Sequence, residues 1–409
     1  MSSRRSSWWR RPRPAAANAE AEVGRWDRFT DNGPHGTRAF AVYTPPGLDP
    51  RRSVPLVVVL HGCKQSGAEA ALGLGVNAYA DRAGFVVLYP EQSARDNLQL
   101  CWNWFRPRHQ TRGSGEPAAI ARITERVLSG RNNRAGPRLD RNRVHVMGLS
   151  AGGAMAGILA ATYPDVYASA GIHSAPQYGA ARSPMTALMA MKSGGPDPER
   201  QGRLAHVAMG SRARDVPVMV VQGAADQTVW AANGDSVVRQ WLTTSRLAGD
   251  RVARDGRPGD RLERADPAGD AGPRLDFARP HTSEVLSSPG GLSYEARCWN
   301  DDAGRPVVRY WVVADLGHAW SGGVSTGSYT DSRGPDATEA MWSFFGQCPK
   351  NRAQVSSPER HLSPRSRDWH GRVRDWAVRG RQWAGTMRDT ERPERPESER
   401  VPNPDHQPS

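Results

Sequence analysis

The chain has 409 residues, 38% of them apolar and 24% charged, with a mean hydropathy of −0.65 and a formal net charge of +13. That length allows one large domain or two medium ones, but so polar a balance, with 42 Gly and 32 Pro, excludes a chain that is globular throughout and puts the extended segments at the ends. No stretch reaches the roughly 18 apolar residues that a membrane-spanning helix requires.

The positive charge is mostly arginine and is concentrated in the first dozen residues and beyond residue 350. It favours anionic partners in general, yet no nucleic-acid module accompanies it, so nucleic-acid binding is not expected. Residues 1–24 read as a disordered basic segment. They resemble the charged start of a signal peptide, but Pro12 to Val23 holds no apolar run long enough to insert, so no ordinary signal peptide is visible.

From Arg25 to Tyr43 short strands broken at Asn32-Gly33-Pro34 suggest an antiparallel edge to a sheet. Val54 to Leu60 is a continuous β-branched and leucine run, the pattern of a strand buried on both faces of a parallel sheet. Helical periodicity over Ala68–Arg82 and a second apolar strand at Phe85–Tyr89 complete a β-loop-α-β unit. Further strands are expected at Val144–Met147, Pro217–Gln222 and Val307–Val313, with a small-residue helix from Ala151 to about Tyr163. Strands alternating with helices imply an α/β domain over 25–349 with a mainly parallel sheet and helices on both faces. Function then belongs at the carboxyl ends of the strands.

Two regions break the rhythm. Residues 245–290 are rich in Arg, Asp, Gly and Pro and read as a polar insertion before a hairpin turning at Asp301–Gly304. In the tail, 350–409, Trp369, Trp376 and Trp383 recur every seven residues among arginines, with Val373 and Met387 at intermediate positions. A helix would gather them on one face, so a basic amphipathic segment with a weak contact to an anionic surface is the expectation.

Gly148-Leu149-Ser150-Ala151-Gly152 matches G-x-S-x-G between an apolar strand and a small-residue helix. In that context the serine sits on a strained turn with its hydroxyl exposed at the end of the sheet. A serine hydroxyl needs a base, and the base needs an acid to orient it. In such folds both follow the serine in chain order, and Asp226 and His318 each lie just past a predicted strand. Asp235 falls in the next helix and Asp315 is too near His318; His145 lies inside a strand, and His173 reads as a pocket-lining or structural residue. The oxyanion would be met by the N–H of Ala151 and of Cys63, in the loop His61–Lys64. The four cysteines, Cys63, Cys101, Cys298 and Cys348, lack the Cys-x2-Cys pairs of zinc sites, and two disulfides or four thiols both fit. No metal and no organic cofactor are implied.

Leu60-His-Gly-Cys63, Cys101-Trp-Asn-Trp-Phe105, the serine pentapeptide, Gly-x-x-Asp at 223–226, Gly317-His-Ala-Trp-Ser-Gly-Gly323, Gly327-Ser-Tyr-Thr-Asp331 and Gly334-Pro-Asp336 together resemble the polyhydroxybutyrate depolymerase family of esterases, across residues 38–346. The resemblance implies an α/β-hydrolase fold and an acyl-enzyme mechanism on short-chain polyhydroxyalkanoate esters, polymer or oligomer. Feruloyl or acetyl esters of polysaccharides are the neighbouring alternative, and a binding module for anionic surfaces with a vestigial site is the alternative of a different class. It further implies a Cys63–Cys101 disulfide, a substrate cleft lined by Trp102, Trp104 and Trp320, and an extracellular location, with a cytoplasmic one as the alternative where no signal peptide is visible.

Overall fold

The computed structural model describes residues 24–131, 136–255 and 276–351. An antiparallel hairpin, β1 (Arg25–Gly33) and β2 (Gly36–Thr44), comes first, turning at the expected Gly33-Pro34. Then follow β3 (Ser53–Leu60), α1 (Gly67–Leu74), α2 (Val76–Ala83), β4 (Val86–Pro90), α3 (Gly115–Leu128), β5 (Arg138–Leu149), α4 (Ala151–Thr162) and β6 (Ser169–His173). The second half adds α5 (Pro184–Ser193), α6 (Pro198–Met209), β7 (Val218–Gly223), α7 (Ala232–Asp255), β8 (Thr282–Ser287), β9 (Ser293–Asn300), β10 (Pro306–Val313), the short β11 (Trp320–Ser321) and β12 (Thr330–Asp331), and α8 (Ala337–Gly346).

Ten strands form one sheet in the order β1-β2-β4-β3-β5-β6-β7-β10-β9-β8. The six central strands, β4 to β10, are parallel, and an antiparallel pair closes each side. The β-branched runs explain this centre. In β3, Leu56, Val58 and Leu60 enter the core beneath α3, α4, α6 and α7, while Val57 and Val59 enter the opposite core beneath α1, α2 and α8. Both faces are thereby sealed, which is what a strand with no polar alternation requires.

The structure departs from the sequence reading in three places. The single helix expected over Ala68–Arg82 is two, because Gly75 turns left-handed at φ 67° and ends α1. The apolar stretch that leads into His173, to which the motifs assigned no definite element, forms the parallel strand β6. The polar insertion at 245–290 is partly regular: α7 continues to Asp255, and β8 resumes at Thr282 as an edge strand with every residue exposed. A strand with no buried face carries no apolar alternation for sequence to reveal. Of the tail, Lys350 donates its N–H to the Asn142 carbonyl and its Nζ to that of Asp165; the tryptophans at 369, 376 and 383 lie outside the described residues.

Candidate active site

The parallel sheet delivers three turns to its carboxyl end. The first joins β5 to α4 at Ser150, whose backbone is held at φ 57°, ψ −121°. A non-glycine residue there is strained by about 1–3 kcal/mol, and its neighbours must be small. A Cβ on Gly148 would lie 2.5 Å from the Gly152 carbonyl carbon, and one on Gly152 only 2.1 Å from the Leu60 oxygen. The Ser150 N–H donates to the His173 carbonyl at 2.9 Å, which ties the strained turn to the end of β6.

The second and third turns follow β7 and β10 and are bonded to each other: Ala224 N–H donates to Val313 O and Ala225 N–H to Leu316 O. On them sit Asp226 and His318, with Nδ1 of the imidazole 2.8 Å from Oδ2 of the carboxylate. The other carboxylate oxygen accepts the N–H groups of Thr228 and Val229, both at 2.9 Å. Burial would raise the Asp226 pKa, but the hydrogen bond and charge of His318, with those two amides, outweigh it and hold the group below the ordinary aspartate value. Asp226 is thus an anion whose lone pairs are fixed. The His318 side chain is 14% exposed while that of Asp226 is fully buried, so with Nδ1–H committed, Nε2 is the ring atom left to accept a proton. Asp235 instead receives the Tyr310 hydroxyl, and Asp315 points to solvent.

The loop after β3 supplies the other backbone donors. As the first residue of α4, Ala151 has no intrahelical acceptor for its N–H. Cys63 is disulfide-bonded to Cys101, as the resemblance implied. The loop is braced from several sides. Gly62 N–H donates to Gln65 Oε1, and Gln65 Nε2 donates to Ser328 O and Oγ. His61 Nε2 accepts the Gln92 N–H, so Nδ1–H is the donor to Gly62 O. Burial pushes the His61 pKa down to about 4 and keeps the ring neutral in this role.

The three tryptophans do not line a cleft. Trp102 is 0% exposed and its indole N–H donates to the His61 carbonyl; Trp320 is 0% exposed and donates to Thr338 Oγ1. Trp104, at 6%, packs edge-on against Phe105 and offers a substrate little surface. Their large apolar rings do more as core, the indole N–H of Trp102 bonding a loop carbonyl and that of Trp320 a side chain at the start of α8. His145 is likewise buried, stacked on Phe345. His173 is structural rather than pocket-lining: its ring is fully buried against Trp320. Gln65 and Gln92, which brace the Cys63 loop together with Trp102, were not legible as functional residues. The one signal was their placement beside His61-Gly62 and just past the end of β4.

The carboxyl end of the sheet thus carries a hydroxyl on a strained turn and an imidazole with one nitrogen anchored to a buried carboxylate, group types that acyl transfer uses. Among the described residues, no three His, Cys, Asp or Glu side chains converge as metal ligands.

Comparison with known proteins agrees. The chain is 36% identical over 269 residues to poly(3-hydroxyalkanoate) depolymerase C of Paucimonas lemoignei, covering 65% of this chain and 55% of that protein. It is 32% identical over 168 residues to feruloyl esterase B of Thermothelomyces thermophilus, covering 41% of this chain and 53% of that one. The chain thus spans about half the length of these relatives. The solved acetyl xylan esterase from Aspergillus awamori superposes with a TM-score of 0.58 at 20% identity, covering 80% of this chain and all of that one, which identifies the α/β-hydrolase fold. Residues 38–267 match the model of the esterase PHB depolymerase family, and the chain belongs to that family.

Proposed function

We propose that the protein hydrolyses short-chain carboxylic esters through an acyl-enzyme on Ser150. The observation that carries this reading is the Asp226–His318 hydrogen bond in the turns after β7 and β10, on the sheet whose β5–α4 turn carries Ser150. His318 Nε2 takes the Ser150 proton as Oγ attacks the ester carbonyl; the anion of the tetrahedral adduct faces the N–H groups of Ala151 and Cys63. The imidazolium, stabilised by Asp226, returns the proton to the leaving alcohol, and a water activated by the same ring releases the acid.

For the substrate, the similarity to a polyhydroxyalkanoate depolymerase favours a hydroxyalkanoate polyester or its oligomers. A surface feature supports the water-insoluble polymer. On α5, Met185 (68% exposed), Leu188 (54%) and Met189 (63%) form one outward stripe. It continues through Lys192, whose Nζ lies 5.2 Å from the Trp230 ring centroid, to the loop that follows Asp226. The exposed stripe holds no carboxylate. Flexible apolar side chains on a helix whose end meets the loop after Asp226 suit an uncharged aliphatic chain better than a saccharide. The similarity to a feruloyl esterase supports the second reading, an ester of a plant polysaccharide.

The test is hydrolysis of p-nitrophenyl acetate, butyrate and octanoate, hydroxybutyrate oligomers, amorphous polymer granules and methyl ferulate by the wild type and Ser150→Ala. Serine-dependent turnover confined to short acyl chains and hydroxybutyrate esters supports the depolymerase reading. Preference for ferulate keeps the chemistry and moves the substrate, and the absence of serine-dependent turnover on all of them would leave a binding module. The same reading includes an extracellular site of action, with which the Cys63–Cys101 disulfide agrees; fractionation of producing cells tests it. It also includes a weak contact between the tail 350–409 and an anionic surface, tested by co-sedimentation of full-length and truncated protein with anionic vesicles.

A further inference from the structure

His173 ends β6, between the strands that lead to the turns of the site, and its carbonyl and both ring nitrogens are engaged. Its carbonyl accepts the N–H of Ser150 at 2.9 Å. Its ring Nε2 accepts the N–H of Ser321 at 3.0 Å, three residues beyond His318 and 148 residues from His173 in sequence. Because Nε2 is an acceptor, Nδ1 carries the ring hydrogen, and Ser174 Oγ lies 3.0 Å away to receive it. Ser174 is itself held at φ 47°, with its N–H on the Val221 carbonyl of β7, the strand that leads to Asp226. The ring stacks on Trp320 at a centroid distance of 4.8 Å and an interplanar angle of 26°. One residue therefore joins the serine turn, the strand before the aspartate and the segment after the histidine.

We propose that His173 is a positioning residue for the esterase reaction, fixing the distance between the Ser150 turn and the His318 loop through its carbonyl and its Nε2. That role depends on Ser150 being the nucleophile, as proposed above, and follows from elementary geometry. Ser150 and His318 lie on strands that are not neighbours: β5 and β10 are separated in the sheet by β6 and β7. Their mutual placement is subject to slack across two intervening strands unless something spans the gap at the carboxyl end. His173, at the tip of β6, spans it with two hydrogen bonds of ordinary length. The general-base step is sensitive to such slack, since a displacement of about 1 Å costs on the order of 100-fold in rate. The residue bonds the backbone N–H groups of Ser150 and Ser321 and so acts through the serine turn and the segment that follows His318.

Two variants separate the hydrogen bond from the packing. His173→Phe keeps the ring, its volume and the stack on Trp320 but leaves the Ser321 N–H without an acceptor. His173→Gln restores an acceptor oxygen near the Nε2 position. With p-nitrophenyl butyrate, kcat of His173→Phe is expected to fall on the order of 10- to 100-fold with KM nearly unchanged, and His173→Gln to recover most of the loss. A fluorophosphonate that labels Ser150 distinguishes positioning from a merely structural role. Misalignment leaves the final stoichiometry at one label per chain and slows the rate of labelling, whereas loss of folded protein lowers the stoichiometry and leaves the rate per labelled site unchanged. Reduced stoichiometry at an unchanged rate, wild-type kcat in His173→Phe, or a His173→Gln variant no better than His173→Phe would overturn the proposal. Failure of the wild type to label at all would instead strike the assignment of Ser150.

Discussion

The indole N–H of Trp102 and the main-chain carbonyl of His61 are 3.1 Å apart and both buried, so an aromatic side chain of one loop holds the backbone of another. That second backbone carries Cys63, proposed as an oxyanion donor. Replacing Trp102 by Phe retains most of the buried ring and removes only the donor. A buried carbonyl left without a partner costs about 1–3 kcal/mol of stability. If the loop relaxes with it, one of two oxyanion donors is displaced, and losing such a donor costs roughly 100- to 1,000-fold in kcat. Partial displacement should cost less, so Trp102→Phe is expected to lower kcat about tenfold or more with little change in KM. Urea unfolding and steady-state kinetics measure both; unaltered kcat would mean that the disulfide and Gln65 hold the loop without it.

The Cys63–Cys101 bond ties the same loop from its other end and closes a segment of 38 residues. The chain-entropy relation assigns such a loop about 4 kcal/mol, an upper figure here because Lys64 N–H also bonds Gln99 O and keeps the segment near in the reduced protein. Treatment with a reductant, or Cys101→Ser, should lower thermal stability and activity together. Full activity in a reduced protein whose thiols are shown to be free would sever Cys63 placement from catalysis.

Much of this site was legible before the fold was known, and the division is physical. Ser150, Asp226 and His318 were readable because each follows an apolar strand, and a parallel sheet gathers the residues after its strands at one end. The Cys63 loop was readable from His61-Gly62 after such a strand. Trp102 and Trp320 were misread because sequence shows that an aromatic residue is near a motif but not which way its ring turns. Both rings turn into the core. The engagement of His173 was illegible for another reason: its partner Ser321 is 148 residues distant, and a hydrogen bond from ring to backbone leaves no trace in either residue type. β8, with no buried face, had no pattern to read.

His61, His145 and His173, each at most 1% exposed, set an acid limit on stability. Burial drives the pKa of His61 down to about 4, and those of His145 and His173 to about 3, chiefly by desolvating the cation. In the unfolded chain each titrates near 6.5. The folded pKa is the lower one in every case, so above pH 6.5 both states are neutral and the full stability is present. As pH falls below 6.5 the unfolded chain takes up protons that the folded protein refuses, and stability is lost until the folded pKa is reached. Each histidine adds a slope of about 1.4 kcal/mol per pH unit, roughly 4 for all three. The urea midpoint should therefore be flat from pH 8 to 7 and drop steeply between pH 6 and 4.5. A midpoint independent of pH across that window would show that these rings are not buried as neutral groups.

Asp226→Asn tests the carboxylate apart from the fold. Asparagine keeps the shape and an acceptor for the Thr228 and Val229 amides, but it neither stabilises an imidazolium nor enforces Nδ1–H on His318. On the pattern of serine triads, kcat should fall about 10,000-fold. The stability of the variant should also respond differently to acid. The carboxyl of Asp226 lies below its ordinary value in the folded protein, so its contribution is present above about pH 4 and is lost as pH falls through the folded pKa. The stability difference between wild type and variant should therefore narrow below pH 4. Activity within tenfold of wild type would move the orienting role to another acid.

The apolar stripe on α5 gives the substrate reading a consequence that soluble esters cannot report. Met185, Leu188 and Met189 face outward, uncovered by any of the described residues, and the helix meets the Asp226 loop at its far end, where Trp230 N–H donates to Met191 O. If the substrate is an insoluble polyester, these side chains rest on its surface while the chain being cut enters beside them. Covering one such side chain is worth about 1.5 kcal/mol or more, which is roughly tenfold in an adsorption constant. Changing all three to Gln, a good helix former, should leave kcat/KM for p-nitrophenyl butyrate within about twofold, since the stripe touches none of Ser150, Asp226 or His318. Adsorption of the variant to polymer granules, and turnover of granules at low enzyme, should each fall by at least that tenfold. Equal losses on soluble ester and granule would indicate damage to the site rather than to a docking face, and undiminished granule turnover would leave the stripe without a role in substrate capture.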